Sequence, residues 1–443
     1  MPFRFLLYLQ PVRYFSIPRL DGTYIYPSIT SVPKELLQRF TPDASYTSKN
    51  AREYDVVWQA VHAGFVGGDT FYTHFEKLPI KDEYVFIRSY FSAVWSWYVL
   101  LIRLFSFKHP IAEVNGFRYA QRVQKQQLAN KALMHSNFTS FESRLVTSKP
   151  LVSIIIPTLN RYEYLRDVLK DLEKQTYPYF EVIVVDQSDD FSTKFYEEFN
   201  LKIKLIHQKE KALWLARNTA IEVSKADLLL FFDDDSRVKE DWIFQHLKCL
   251  DYFQADGSSG VSLSTVGDAI PEHYSYFRVA DQLDTGNVLV KKSVFKEIGL
   301  YDRQFEKQRM GDGEFGMRMY INGFTNISNP FASRVHLKVG TGGLRQMGSW
   351  DAFRTNKIFA PRPIPSVLCF FRRYFGDKRA VFALLKSVPP SIIPYRFKKN
   401  RKLLLLGIFV SIFLMPIICI QVAISWRKAS KKLHEGPLIQ TLD

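Results

Sequence analysis

The segment LLLFF at 228–232 runs directly into Asp233, Asp234 and Asp235. Five apolar residues in a row read as a strand buried on both faces, which requires a sheet covered by helices on each side. Three carboxylates at its carboxyl end repel one another, and water relieves that poorly. A hard divalent cation, Mg²⁺ or Mn²⁺, takes carboxylate and phosphate oxygens together and relieves it well. The position agrees, because open α/β sheets bind ligands outside the carboxyl ends of their strands. The competing reading is an acidic loop that solvates a strand end, and the neighbouring sequence has to decide.

From about residue 151 that neighbourhood is regular. VSIIIPTLN (152–160) is a β-branched run stopped by Pro157, and EVIVVDQSDD (181–190) is a second buried run ending in acids. KIKLIHQ (202–208) reads as a third strand before LLLFF. Between them, 161–175 places Leu165, Val168, Leu169 and Leu172 on one helical face, and 212–224 reads as another helix. Strand–helix alternation of this kind is the signature of βαβ units and a parallel sheet. The predicted fold is therefore α/β, doubly wound and mostly parallel, with helices on both faces.

Charge separates this region from its flanks. Residues 151–360 carry 27 Lys/Arg against 30 Asp/Glu, whereas 1–150 carry 18 against 11 and 361–443 carry 15 against 3. A nucleic-acid enzyme would carry its basic surface around the site. Here the excess lies on greasy flanks, which points to an anionic membrane and away from nucleic acid. Residues 403–425 hold 23 residues without a charge between RFKKNRK and RKASKK, enough for a hydrophobic helix that spans or lies in a bilayer. Residues 366–397 mix Phe, Leu and Arg like a helix in the headgroup region. Residues 83–107 fit either an interfacial segment or a buried core helix, because Arg88 and Arg103 leave only 14 uncharged residues between them. Residues 1–82 carry no readable motif. The N-terminus has too short an apolar stretch for a signal peptide. Cys249, Cys369 and Cys419 share no metal-ligand spacing, and three thiols so far apart fit a reducing compartment. The expected domains are an N-terminal region (1–149), an α/β domain (150–350), a basic amphipathic membrane-surface region (351–400), and the hydrophobic helix with a basic tail (401–443).

Six segments, in order, resemble the family 2 glycosyltransferases of the GT-A fold. PTLNR (157–161) resembles the family's "PTxNR" entrance. VDQSDD (185–190) resembles "VDDGSxD", with Gln187 in place of the second Asp. LARNTAI (215–221) resembles "ARNxG", with Ala220 for Gly. LLLFFDDDS resembles the metal-binding Asp motif, and TGNVLVKKSVFKEIGLYDRQF (285–305) the stretch leading to the acceptor side. MGDGEFGMRMYINGF (310–324) resembles "GEDxELxxRLxxxGY". The resemblance covers about 150–345, less than half of the chain.

It implies a nucleotide-sugar donor held by Pro157, Thr158, Asn160, Arg161, Asp186, Asp189, Arg217, Asp233 and Asp234. Within that set Asp186, with Thr158, would meet the nucleotide base, Asp189 being its alternative, and Arg217 would face the nucleotide. Asp235 would ligate a divalent metal, Mn²⁺ or Mg²⁺. Asp234 would touch ribose or metal, and Asp233 would be a structural acceptor. His336 falls where many GT-A enzymes place a late metal or diphosphate ligand. Gly340, Gly342, Gly343 and Arg345 suit a loop closing over the diphosphate. Asp312 matches the general base of the "ED" motif, although Gly311 replaces the usual Glu. Glu314 is its rival, since on a helix the two point to different faces.

The reading is a membrane-attached inverting glycosyltransferase on the cytoplasmic face, acting on a saccharide or lipid-linked acceptor in surface polysaccharide or glycolipid synthesis. The family's processive synthases carry "QxxRW" and several spans; this chain shows neither, so transfer of one or very few sugars is expected. Two alternatives share parts of the pattern. A nucleotidyltransferase would want an early Gly-rich phosphate loop, which PTLNR is not. A catalytically inactive scaffold would have no use for Asp312 beside an intact Asp triplet.

Overall fold

The computed structural model describes residues 1–442 apart from 265–270, 282, 340–342, 345–352, 354, 356, 395–396 and 398–399. Two units make up the chain. One comprises Met1–Leu133, Phe353–Pro363 and Leu368–Ser425, and the other Met134–Ala352, Ile364–Val367 and Trp426–Asp443.

The second unit is built on one sheet with the strands β1 (Val152–Thr158), β2 (Phe180–Asp186), β3 (Ile203–His207), β4 (Leu228–Phe232), β5 (Ser236–Val238), β6 (Gly257–Ser264), β7 (Arg278–Val279), β8 (Asn287–Lys291) and β9 (Asn326–His336). Their order is β3-β2-β1-β4-β8-β6-β9-β5, with β7 paired to β9. The four strands read from sequence form the parallel half. Pro157 is tolerated inside β1 because the β1–β4 register ends at Ile155 and Phe231, two residues before it. The other half is mixed: β8 is antiparallel to β4 and β6, while β6 and β9 are parallel. The α/β GT-A class stands, with parallel pairing confined largely to the first half.

Helices cover this sheet as the periodicity requires. Leu165, Val168, Leu169 and Leu172 of the helix Tyr162–Glu173 are all fully buried, and each is worth about 1.5–3 kcal/mol relative to exposure. Under β6 and β8, the helix Trp242–Phe253 supplies a polar knot. Trp242 Nε1 donates to Asn287 Oδ1 at 2.8 Å, and His246 contacts the same oxygen through Nε2 at 3.1 Å and Ser258 Oγ through Nδ1 at 2.9 Å. Burial pushes His246 down to about 4, so the imidazole is neutral. Nε2–H then donates to Asn287 and Nδ1 accepts from Ser258. Asn287 in turn donates to Ala332 O at 2.9 Å. The knot therefore pins the start of β8 against β9.

The segment Trp426–Asp443 also belongs to this unit. Leu300 N donates to Gln440 O at 2.8 Å, and Leu438 N to Asp302 Oδ1 at 2.9 Å. Nothing in the apolar pattern of a basic tail announces that return.

The other unit is helical. Residues 83–107 fold as two helices, Ile80–Tyr90 and Ala93–Phe105. Tyr84, Val85, Phe86 and Ile87 are fully buried, so the first is a core helix. The segment expected in the headgroups is the helix Pro365–Ser387, broken at Gly376 (φ 77°). Its Phe370, Phe371 and Phe375 are buried, Phe382 stacks edge-on against Tyr8 at 5.1 Å, and Arg379 NH1 reaches Ser16 Oγ at 2.9 Å. Much of its apolar face is thus used in packing.

Residues 403–425 do not form one helix. Arg401–Phe413 and Met415–Glu435 meet at a bend of 88°. Pro416 supplies the cause: it lacks an N–H, and its ring would clash with the carbonyl four residues back. Gln421 is buried there, accepting from Arg362 Nε at 2.9 Å. Among the described residues no single helix is long and apolar enough to cross a membrane; the two helices of this bend reach that length and apolarity only together.

Candidate active site

β1, β2 and β4 end side by side, so the turns that follow them converge. Thr158 is the register partner of Asp186, and Asp233–Asp235 follow directly on β4. Successive carboxylates diverge after the strand. Asp234 turns toward β1, accepting from Thr158 Oγ1 at 2.8 Å and Arg161 NH1 at 3.0 Å. Asp235 turns toward β9, where His336 Nε2 lies 3.2 Å from its Oδ1, while its Oδ2 accepts from Arg161 at 3.2 Å. Asp233 accepts from Arg217 NH2 at 3.0 Å and from Arg334 NH1 at 2.8 Å.

Ligand atoms of Asp233, Asp235 and His336 all lie within 4.8 Å of one another. Two carboxylates and an imidazole form a donor set that suits Mn²⁺ or Mg²⁺. The sequence reading placed Asp234 nearer the metal and Asp233 in a structural role; the geometry groups Asp233 with Asp235 and leaves Asp234 on Thr158. Burial pushes the Asp234 carboxyl up to about 6, against the pull of Arg161. Burial also raises Asp235, but His336 and Arg161 outweigh it and hold this carboxyl below its ordinary value. Asp235 is thus held more firmly as an anion than Asp234.

Sequence reasoning missed Arg334. Its guanidinium is buried between Asp233 and Asp284, at 2.9 Å from Asp284 Oδ2, with Nε on Ser262 Oγ at 2.8 Å and NH1 on Ser236 Oγ at 2.9 Å. Burial disfavours its charge, but the two carboxylates outweigh burial and push the group upward. The available signal was strand alternation: Arg334 and His336 are two apart on β9 and so share a face. Gly286 makes room for this pair, since a Cβ there would fall 2.1 Å from Asp233 Oδ2 and 2.2 Å from Arg334 NH1.

Asp186, expected at the nucleotide base, is fully buried. Its Oδ2 accepts from the hydroxyls of Tyr162 (2.5 Å) and Tyr196 (2.7 Å), and its Oδ1 from Ser188 N at 2.8 Å. These bonds make it the anchor of the turn after β2. Asp189 is an exposed acid of that turn, bonded to Lys211 Nζ at 2.5 Å and to Asn160 Nδ2 at 2.9 Å, and both contacts lower its pKa. Asp189 N returns a bond to Asn160 Oδ1 at 2.9 Å, which holds Asn160 in the left-handed region (φ 53°). Pro157 and Thr158 are buried in β1, so their side chains shape the floor.

Arg217 is buried under the site, with Thr285 O at 3.0 Å and the Trp214 ring 5.2 Å away. Trp214 leads on to the start of the helix Gly311–Ile321. A Cβ on Gly311 would sit 2.3 Å from its ring, so a larger residue fits there only if the indole shifts. Asp312 follows in the first turn of the helix Gly311–Ile321, half-buried, with Oδ1 accepting from Gly313 N at 2.8 Å. Glu314 is fully buried and binds Arg318 Nε at 2.8 Å. That burial leaves Asp312 as the accessible acid of the two. Of the expected diphosphate loop, Gly340, Gly342 and Arg345 lie outside the described residues. Gly343 (φ +81°) lies against Arg161, whose NH2 also donates to Val339 O at 3.1 Å.

Residues 153–320 match the family model described as Glycosyl transferase family 2. The chain is 30% identical over 170 residues to the glycosyltransferase AglE of Haloferax volcanii, covering 36% of this chain and 55% of AglE. It is 28% identical over 111 residues to the poly(ribitol-phosphate) beta-N-acetylglucosaminyltransferase TarS of Staphylococcus aureus, covering 24% of this chain and 19% of TarS. This chain thus spans about half of AglE and a smaller part of TarS. Among solved structures, the mannosyltransferase PcManGT of Pyrobaculum calidifontis, in complex with GDP-Man and Mn²⁺, superposes with a TM-score of 0.43 at 16% identity, covering 68% of this chain and 93% of that one. The family match over β1 to the Asp312 helix, together with the strand order found there, identifies residues 153–320 as a glycosyltransferase family 2 domain of the GT-A fold.

Proposed function

We propose that the protein is a metal-dependent, inverting glycosyltransferase. It would move one or a few sugars from a nucleotide-sugar donor to a saccharide or lipid-linked acceptor at the cytoplasmic face of a membrane. The observation that carries this reading is the convergence of Asp233, Asp235 and His336 beyond β4. That cluster is tied through Asp233, Arg217 and Trp214 to the helix start bearing Asp312. AglE and TarS, both named as glycosyltransferases, support a role in polysaccharide or glycoconjugate synthesis.

A bound Mn²⁺ or Mg²⁺ would neutralise the donor diphosphate and make it a better leaving group. Asp235 and His336 would hold it, with Asp233 completing the set. Arg217 and Arg334 keep Asp233 oriented and its charge compensated. Asp312 takes the proton of the acceptor hydroxyl as that oxygen attacks the anomeric carbon. The bond to the diphosphate oxygen breaks on the opposite face, so the configuration inverts. A positioned base of this kind contributes about 10²–10⁴-fold. Membrane attachment is supported by the basic excess over 361–443 and by exposed Leu405, Phe409, Ile412 and Phe413 at the C-terminal bend. A bent pair suits in-plane or re-entrant attachment better than a straight span.

The test is a screen of nucleotide sugars with and without Mn²⁺, reading nucleoside diphosphate release and the anomeric configuration of the product. Transfer with inversion that disappears in Asp312→Asn and Asp235→Asn, both still folded, is the expected result. Survival of transfer in Asp312→Asn sinks the base assignment. Release of pyrophosphate would indicate a nucleotidyltransferase, and donor binding without turnover a scaffold.

A further inference from the structure

The N-terminal region has no part in the chemistry above, yet it presents an unusual surface. On the helix Ala93–Phe105, Val94, Trp97, Leu101 and Phe105 recur at spacings of three and four and so share one face. They are 69%, 55%, 50% and 81% exposed, and Phe107 and Ile111 continue the stripe at 97% and 66%. The opposite face, with Ser96, Val99 and Leu100, is buried. Contiguous apolar surface of this kind on a folded chain marks an interaction site.

Charge identifies the occupant. Between Glu83 and Glu142 the sole acid is Glu113, which is buried and ion-paired with Arg103. Lys108, Arg118, Arg122 and Lys125, all exposed, border the stripe in sequence. A second copy of this face would meet like charge, which opposes self-pairing. An anionic bilayer accepts both components, taking apolar side chains below the headgroups and basic ones at their level. At 13 residues the helix is too short to cross.

We infer that the Ala93–Phe107 face is a lipid-docking surface that lies in the plane of an anionic membrane. It extends the membrane-attached reading to a second, independent contact, so the two can fail separately. The full chain carrying Cys419→Ser and Phe107→Cys is labelled at position 107 with an environment-sensitive fluorophore, the other two cysteines being buried. Phosphatidylglycerol and phosphatidylcholine vesicles are then added, with and without nitroxide-bearing lipid. The expected result is a blue shift and nitroxide quenching with phosphatidylglycerol only. Leu101→Glu with Phe105→Glu should weaken vesicle binding by roughly tenfold or more per side chain. Vesicle binding with an unshifted label and no effect of these substitutions overturns this inference and leaves the C-terminal attachment standing. Failure to bind vesicles at all overturns both. A blue shift that needs no lipid and grows with protein concentration overturns it in favour of self-association.

Discussion

Replacing Arg334 by methionine tests whether the buried guanidinium organises the carboxylates of the site. The side chain is 2% exposed and joins Asp233 at 2.8 Å to Asp284 at 2.9 Å, with two serine hydroxyls on its remaining donors. Breaking a buried pair by removing one partner costs about 3–5 kcal/mol. Asp284 is about a third exposed and can rehydrate, so the lower end, about 3 kcal/mol, is expected. Asp284→Asn alone leaves Arg334 its bond to Asp233 and should cost about 1 kcal/mol. Added to Arg334→Met, however, Asp284→Asn should cost almost nothing, because its partner is already gone. The cycle therefore predicts a coupling of about 1 kcal/mol. Urea midpoints compared at constant slope measure it. A variant within about 0.5 kcal/mol of wild type, or strictly additive substitutions, would refute the argument that Arg334 bridges the two acids.

Four further outcomes follow from the same geometry. Asp312→Asn should lower kcat by about 10²–10⁴-fold with an unchanged thermal midpoint, whereas Glu314→Gln should lower the midpoint, because it removes a buried charge from Arg318. Chelator should abolish transfer, and His336→Ala should raise the Mn²⁺ concentration for half-maximal rate by roughly tenfold or more; restored activity without added metal would contradict this. Gly286→Ala should disturb Asp233 and Arg334 together, raising that Mn²⁺ requirement as well, since its methyl would fall 2.1 Å from the Asp233 carboxylate. His246, held at about 4 in the fold, is protonated first in the unfolded chain. Its contribution is therefore complete above about pH 6.5 and falls as pH drops toward 4, by up to about 3 kcal/mol. His246→Gln should flatten the stability–pH slope over that window, as read by urea midpoints.

What the chain announces in one dimension is what one element decides alone. β1, β2 and β4 were legible because each is a buried run bounded by polar residues, β3 because it is a short apolar run with Lys204 inside it, and the helix Tyr162–Glu173 because its leucines recur at helical spacing. The mixed half of the sheet was not, since β6 is serine- and glycine-rich and only its partners define it as a strand. The roles within the Asp triplet show the same limit more sharply. Nothing local says whether Asp233 or Asp234 joins the cation cluster. Asp234 is taken by Thr158 from β1 and by Arg161, and Asp233 is drawn toward Arg217 and Arg334 from elements before and after it. Asp186 behaves likewise: its motif suggested a base-binding acid, and two tyrosines from separate helices bury it instead. Side-chain direction after a strand end is therefore set by distant cations and hydroxyls. A carboxylate motif locates a site, and the arginines and tyrosines around it decide which acid ligates, which anchors and which stays in water.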